Sequence, residues 1–249
     1  MTASPNIALF VTCLVDLFRP QAAFAAVRLL EDAGCIVHVP AAQTCCGQPG
    51  YNSGDKVGAG RLAVQTIRLL MDYDYVVVPS GSCAAMIKQH YPQLLAGDAA
   101  LLAQARALAD KTFELTQFLH DVMHYKPAFA MAEKITYHDA CSGLRELGIQ
   151  AQPRALLPSP VIENNDGKTC CGFGGTFCVK YTGVSTAIAD KKLDKFSATG
   201  ATTVTGGDLG CLMHLAGRAA RRGMDLHFRH VAEILAGDVQ TPAIAEPEK

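Results

Sequence analysis

The stretch Thr44-Cys-Cys-Gly-Gln-Pro-Gly50 recurs as Thr169-Cys-Cys-Gly-Phe-Gly-Gly175. From Cys45 to Cys170 the spacing is 125 residues, and both copies share a Thr-Cys-Cys-Gly start and a closing glycine. A repeat with this period in a chain of 249 residues indicates two related units that each fill one half. The prediction of the fold starts from this duplication.

Two further cysteine positions repeat in the same order. A β-like run ends in cysteine in each half, at Ile7–Cys13 and at Ile135–Cys141. A second β-like run leads to Ser80-Gly-Ser-Cys83 in one half and to Asp208-Leu-Gly-Cys211 in the other. Both pairs of cysteines are 128 residues apart, so three cysteine positions keep their register. Gene duplication accounts for this pattern.

Each half also closes on a similar amphipathic segment, Glu114–Leu119 and His230–Leu235. The repeat predicts two cysteine-rich domains at residues 1–125 and 126–249. The join is expected between Tyr125 and Glu133, where a proline interrupts a stretch with little periodic pattern.

Short β-branched runs alternate with longer helical patterns, which predicts an α/β fold of two pseudo-symmetric, Rossmann-like halves with mainly parallel sheets. Strands are predicted at Ile7–Thr12, Cys35–Val39, Tyr75–Pro79, Lys134–His138 and Thr202–Thr205. Helices are predicted at Pro20–Gly34, Lys56–Asp72, Cys83–His90, Ala99–Thr112, Thr116–His124 and Thr182–Ala198, and after Cys211. A loose tail is predicted at Thr241–Lys249.

The composition narrows the classes of function. The chain is 49% hydrophobic and 18% charged, as folded proteins commonly are. Its 22 Lys and Arg against 23 Asp and Glu give no electrostatic attraction toward nucleic acid or an anionic membrane. The apolar run Ile7–Val11 is too short for a signal peptide or a membrane span, so a cytoplasmic location is expected, with peripheral membrane association left open.

The ten cysteines favour metal or redox chemistry, because the cytosol keeps such thiols reduced. Four thiolates are what a [4Fe-4S] cluster takes, so one or two clusters per chain are predicted. The loops that carry the cysteines are expected to meet at the carboxyl edge of an open sheet. The predicted ligands are Cys13, Cys45, Cys46, Cys83, Cys141, Cys170, Cys171 and Cys211.

Several alternatives stay open at this point. Four thiolates also suit zinc, which is the alternative occupant of one site. Cys35 is expected to be a buried structural cysteine. Cys178 has no counterpart in the first half; it could be an extra ligand and is interpreted as a neighbour of the site. His138, like His214 and Arg145, is interpreted first as hydrogen-bonded structure, although His138 could also orient a cluster or pass protons.

The order Cys, Cys-Cys-Gly, Cys resembles the CCG cysteine-rich domain family over nearly the whole chain. The strings Phe10–Cys13, Cys45–Pro49, Pro79–Cys83 and Cys170–Phe177 are similar to those of the small iron-sulfur subunit of lactate utilisation complexes. Members that hold non-cubane clusters use a further cysteine in Cys-x-x-Cys. This chain departs from that motif, with Ser80 and Asp208 at the position of the first cysteine.

The resemblance implies an electron-transfer subunit of a complex that oxidises L-lactate to pyruvate, with other iron-sulfur subunits as partners. It also allows a glycolate oxidase iron-sulfur subunit or a subunit like those of heterodisulfide reductases. The non-enzymatic alternative is a zinc-binding interaction scaffold. No nucleotide or flavin site is expected, because the chain has no Gly-x-Gly-x-x-Gly after its first strand. The sequence does not identify a catalytic residue.

Overall fold

Two parallel sheets, one in each half, organise the computed structural model, which describes residues 4–127, 132–164, 167–238 and 240–246. The first sheet has the order β2-β1-β3-β4 and the second β5-β6-β7. Every pair of adjacent strands is parallel. This confirms the predicted α/β class. The strands are β1 Asn6–Leu9, β2 Ile36–His38, β3 Tyr75–Val78, β4 Thr112–Glu114, β5 Ile135–Tyr137, β6 Thr203–Gly206 and β7 His227–His230.

Helices lie between the strands, as parallel connections require. In the first half they are α1 Cys13–Phe18, α2 Pro20–Asp32, α3 Gln48–Asn52, α4 Lys56–Leu70, α5 Gly81–Ala85, α6 Tyr91–Leu94, α7 Ala99–Asp110 and α8 Leu115–Gln117. In the second half they are α9 Cys141–Glu146, α10 Ala151–Leu156, α11 Phe177–Lys180, α12 Thr182–Ser197, α13 Leu209–Arg221 and α14 Val231–Leu235. Two π-helical turns, Met86–His90 and Phe118–Val122, extend α5 and α8.

The backbone register shows that the central strands of the two sheets correspond to each other. The N–H of Phe10 donates to the carbonyl of Val77 at 2.9 Å, and the N–H of His138 donates to the carbonyl of Thr205 at 2.7 Å. Donor and acceptor are both displaced by 128 residues, the spacing of the cysteines. Val161 also bridges to Ile135 in parallel, in the place that β2 takes beside β1.

The long helices α4 and α12 bury the same stripe of positions. Their buried residues recur at i, i+4, i+7, i+8 and i+11, which is one face of a helix. These are Ala59, Ala63, Thr66, Ile67 and Leu70 in α4, and Ser185, Ala189, Lys192, Leu193 and Phe196 in α12. The duplication therefore extends to the core packing, with Lys192 where the first half has Thr66.

The last strand of each sheet lies where the sequence pattern predicts none. β4 reads Thr-Phe-Glu and β7 reads His-Phe-Arg-His, so neither has the run of β-branched or aliphatic residues that marks the other strands. The predicted loose tail is wrong over the described part of Thr241–Lys249. There Ala243 is buried, and the N–H of Ile244 donates to the carbonyl of Phe228 at 2.8 Å.

The halves pack on each other through a continuous core. One hydrophobic cluster contains Leu9 and Leu115 of the first half together with Tyr137 and Val231 of the second. Helix α14 packs along α2, and α8 packs on α10, so each half covers the other with its closing segment. The predicted join lies partly outside the described residues, and the boundary at residue 125 stays a prediction.

Among the described helices, none combines the length and the apolar character that crossing a bilayer requires.

Helices α5 and α9 approach closely at Gly81, where an added Cβ would lie 3.0 Å from the backbone Cα of Gly143. We expect Gly81→Ala to lower the free energy of unfolding by about 1–3 kcal/mol, because backbone must shift to admit the methyl group. Gly60→Ala in α4 is the matched control, since its Cβ meets nothing within 4 Å. It should be stabilising by roughly 0.5–1 kcal/mol. Urea denaturation measures both, and equal effects would contradict the packing described.

Candidate metal centre

A single cavity of about 360 Å³ lies between the halves, at the carboxyl ends of the strands. All eight cysteines predicted as ligands line it. From the first half these are Cys13, Cys45, Cys46 and Cys83, and from the second Cys141, Cys170, Cys171 and Cys211. The structure thus brings together residues from six loops and helix starts. The sequence predicts a site in each half, but not that both sets share one cavity.

Equivalent elements position the equivalent cysteines. Cys13 and Cys141 are the first residues of α1 and α9. Cys83 and Cys211 are the third residues of α5 and α13, in the first helical turn as expected. Hydrogen bonding to Cys45 and Cys170, together with burial, raises the pKa of the Cys13 and Cys141 thiols.

The Cys-Cys-Gly turns depend on their glycines. Gly47 and Gly172 both have φ of +89°. Their N–H groups donate to the Sγ atoms of Cys45 and Cys170 at 3.4 and 3.3 Å. A Cβ on Gly172 would lie 2.5 Å from the carbonyl oxygen of Ser185, so no larger residue fits there. The sequence predicts this use of the glycines.

The thiols within each half are hydrogen-bonded to one another. Cys46 Sγ lies 3.2 Å from Cys83 Sγ, and Cys171 Sγ lies 3.0 Å from Cys211 Sγ. Hydrogen bonds from Cys13, Cys46 and the N–H of Gly47 lower the pKa of the Cys45 thiol.

The second half repeats this arrangement, since Cys141, Cys171 and the N–H of Gly172 lower the pKa of the Cys170 thiol. Hydrogen bonding to Cys170 and Cys211, together with burial, raises the pKa of Cys171. Each half therefore favours one thiolate, the form that binds metals.

These residues fit a metal ion or an iron-sulfur cluster. All ten cysteines of the chain are free thiols, and the cavity has room for a group larger than one ion. Two thiolates on one tetrahedral zinc lie about 3.8 Å apart, given Zn–S bonds of about 2.3 Å. The Sγ pairs at 3.0 and 3.2 Å are closer than this, so ligation requires these side chains to rotate apart into the cavity.

The predicted role of His138 as hydrogen-bonded structure is wrong. Both ring nitrogens are buried and lack a hydrogen-bond partner. Ring nitrogen and the Sγ atoms of Cys171 and Cys211 lie within 4.8 Å of one another, a donor set that suits a metal ion. Burial, together with nearby Lys192, lowers the pKa of His138 to about 3.

The two residues that replace the missing cysteines contact each other across the halves. Ser80 Oγ donates to Asp208 Oδ1 at 2.7 Å. The same oxygen accepts from Ser82 Oγ at 2.6 Å and from the Ser82 N–H at 3.1 Å. Asp208 therefore bonds to the start of α5 in the other half. Sequence reasoning identifies Ser80 and Asp208 only as a departure from the motif.

A second, water-sized cavity of about 20 Å³ lies behind this contact and shares Asp208 with the cysteine cavity. It is lined by Glu114 and Tyr137 as well. Burial raises the pKa of Glu114 to about 7, although Thr116 and Gln117 donate to its carboxylate. Sequence analysis did not identify Glu114 as a functional residue, although Glu114 begins the closing segment that is repeated in the second half.

Other candidate residues lie apart from the cavity wall. Cys35 is buried in the core, as predicted. Cys178 Sγ donates to the carbonyl of Gly175 at 3.2 Å. His214 pairs with Ser185 Oγ at 3.2 Å, and Arg145 donates to the carbonyl of Lys168 at 3.1 Å, so both have structural roles.

Two cysteine-rich units facing one cavity define a class of protein. Residues 7–88 and 135–216 each match the sequence model of the cysteine-rich domain CCG. The chain therefore belongs to the CCG cysteine-rich domain family.

Two similar proteins carry the name Lactate utilization protein A. Lactate utilization protein A of Anoxybacillus flavithermus is 44% identical over 235 residues, which cover 92% of this chain and 98% of that protein. Lactate utilization protein A of Macrococcus caseolyticus is 44% identical over 240 residues, 94% of this chain and 98% of that protein.

Among solved structures, a hypothetical protein from Helicobacter pylori matches the whole chain with a TM-score of 0.63 and 10% identity. The chain spans about half of that protein, 52% of its length. At this identity the likeness supports the fold alone.

The buried Glu114 predicts a pH dependence of stability. Its pKa is about 7 in the folded chain against an ordinary value of 4.5, so stability present below pH 4.5 is lost as the pH rises through 7. Glu114→Gln keeps an acceptor without the charge. Relative to wild type, this variant should gain up to about 3 kcal/mol between pH 5 and 8.

Urea denaturation across this pH range measures the effect. Glu31→Gln, on an exposed position of α2, is the control and should follow wild type. If the Glu114→Gln variant also follows wild type at every pH, the carboxyl is not protonated in the folded state.

Proposed function

We propose that this chain is an iron-sulfur electron-transfer subunit of a complex that oxidises L-lactate to pyruvate. The observation that carries the proposal is the set of eight free cysteines on one cavity, four from each half. The relatives named Lactate utilization protein A, 44% identical over most of the chain, supply the substrate. Within this proposal the protein acts in the cytoplasm with other iron-sulfur subunits, and peripheral membrane association stays open.

In this function the four cysteines of each half hold one [4Fe-4S] cluster. The clusters supply one-electron transfer when bound. The chain provides cysteine ligands at helix starts, and the N–H groups of Gly47 and Gly172 donate hydrogen bonds to the Sγ atoms of Cys45 and Cys170. Burial of Cys46 and Cys171, each 2% exposed, shields this side of the cavity from water. Substrate oxidation then belongs to the complex.

Zinc in the second half is the rival occupant, because His138 lies with Cys171 and Cys211 in a set of donors within 4.8 Å. Such a site would fit an interaction scaffold. Glycolate oxidase and heterodisulfide reductase subunits are rivals that share the clusters and differ in substrate.

Metal content tests the cofactor. Protein purified without oxygen should contain about eight irons and eight acid-labile sulfides per chain, as two [4Fe-4S] clusters require. Cys83→Ser and Cys211→Ser should each lose about half of the iron, because each removes one ligand of one cluster. Cys178→Ser is the matched control and should keep it all, since Cys178 bonds to Gly175 instead. Zinc without iron would replace this proposal with the scaffold.

Growth tests the substrate. A host strain that lacks this chain should fail to grow on L-lactate and should grow normally on pyruvate, the product of the reaction. Complementation with wild type should restore growth, and Cys211→Ser should not. Normal growth on L-lactate with a loss of growth on glycolate would instead favour the glycolate oxidase subunit.

A further inference from the structure

The imidazole of His138 is a hydrogen-bonding group without an assigned partner. Its side chain is buried, with only 1% of the residue exposed, and neither Nδ1 nor Nε2 has a hydrogen-bond partner in the described structure. Buried polar groups in native proteins are nearly always paired, so an unpaired pair of nitrogens indicates a missing partner. In either protonation state the ring carries at least one N–H to donate.

The ring lies beside the cysteine sulfurs of the second half. One nitrogen is within 4.8 Å of both Cys171 Sγ and Cys211 Sγ. Phe196 stands nearly perpendicular to the ring, with 6.2 Å between centroids, and its packing limits the orientations that the imidazole can adopt. Two of the predicted sulfur ligands therefore lie near one of the unpaired nitrogens.

At the position that matches His138, the first half carries a side chain without a donor. The matched backbone hydrogen bonds to Val77 and Thr205 place Phe10 where the second half has His138. Phe10 packs in the same hydrophobic cluster as Cys46, but a phenyl ring cannot donate to sulfur. Gly206 lies next to His138, where an added Cβ would be 3.4 Å from the histidine Cβ and 3.0 Å from its carbonyl oxygen. The second half thus differs from the first beside its cysteine sulfurs.

We propose that His138 donates an N–H hydrogen bond to a sulfur of the second-half cluster and holds its reduction potential above that of the first-half cluster. This inference rests on the proposed function. A hydrogen bond to sulfur stabilises the more negative, reduced cluster relative to the oxidised one. In each reduction the cluster gains one electron, and the N–H bond stays intact with no proton transferred. Electrons that enter the chain therefore collect in the second half.

His138 is a tuning residue and not a fifth ligand, because four cysteines already supply the ligands that a cubane takes. Its removal should therefore leave iron in place and change the potential. This separates the hydrogen bond from ligation, in which removal of the histidine would release iron.

Exchange of the two matched residues provides the test, on full-length protein with its clusters assembled without oxygen. Redox titration followed by electron paramagnetic resonance should give two midpoint potentials in wild type. Cys83→Ser should remove the lower one, which assigns the higher to the second half. His138→Phe copies the first half. At a fixed potential, this variant should lower the ratio of reduced to oxidised second-half cluster at least tenfold. For a one-electron reduction this corresponds to a midpoint potential lower by at least 59 mV.

Two further variants keep the result interpretable. Phe10→His should raise the first-half potential, and His138→Gln, which retains an N–H donor, should restore part of the lost shift. Unchanged potentials in His138→Phe with full iron would overturn the inference and leave the proposed function standing. Loss of iron in both His138→Phe and His138→Gln would make His138 a ligand and also overturn it. Wild-type protein without iron would overturn the proposed function and this inference together.

Discussion

The carboxylate of Asp208 sets the geometry of the whole site. One of its oxygens accepts hydrogen bonds from the Ser80 hydroxyl and from both the hydroxyl and the N–H of Ser82. These donors begin α5, and Asp208 directly precedes α13, so the contact joins two helix starts across the halves. Cys83 lies three residues after Ser80, and Cys211 lies three residues after Asp208. The spacing between the two sets of cysteines therefore depends on this buried contact.

Duplication has preserved the backbone of the halves and changed the side chains near the cavity. Strand register, cysteine positions and the buried helical stripe all repeat. At three matched positions, however, one half has an apolar or uncharged residue and the other half has an ionisable one. Such pairs are Phe10 with His138, Thr66 with Lys192, and Ser80 with Asp208. Two similar folds thus carry different electrostatic surroundings, so the two halves of the site are not chemically equivalent.

The sequence contained enough information for the class of fold and for the sets of cysteines, because strand and cysteine patterns are local and repeat in register. The sequence could not show that the two sets of cysteines share one cavity, because that depends on packing between segments more than a hundred residues apart. β4 and β7 were missed because they lack a run of β-branched or aliphatic residues. In addition, α7 has no match in the second half, so the spacing of Glu114 and His230 falls to 116 residues. The role of His138 depends on the absence of tertiary partners, which no pattern reveals.

The division of the cavity between two halves also constrains the order of biosynthesis. Cys211 and the hydrogen-bonding carboxylate of Asp208 lie in the last fifth of the chain, while Cys13 lies near its beginning. A nascent chain that has completed only its first half presents four thiols on an open surface, without the opposite wall. The shared cavity therefore forms only after both halves have been synthesised. A chain that ends before Cys211 lacks one wall of the cavity, and any group that binds between the walls is enclosed only after that point.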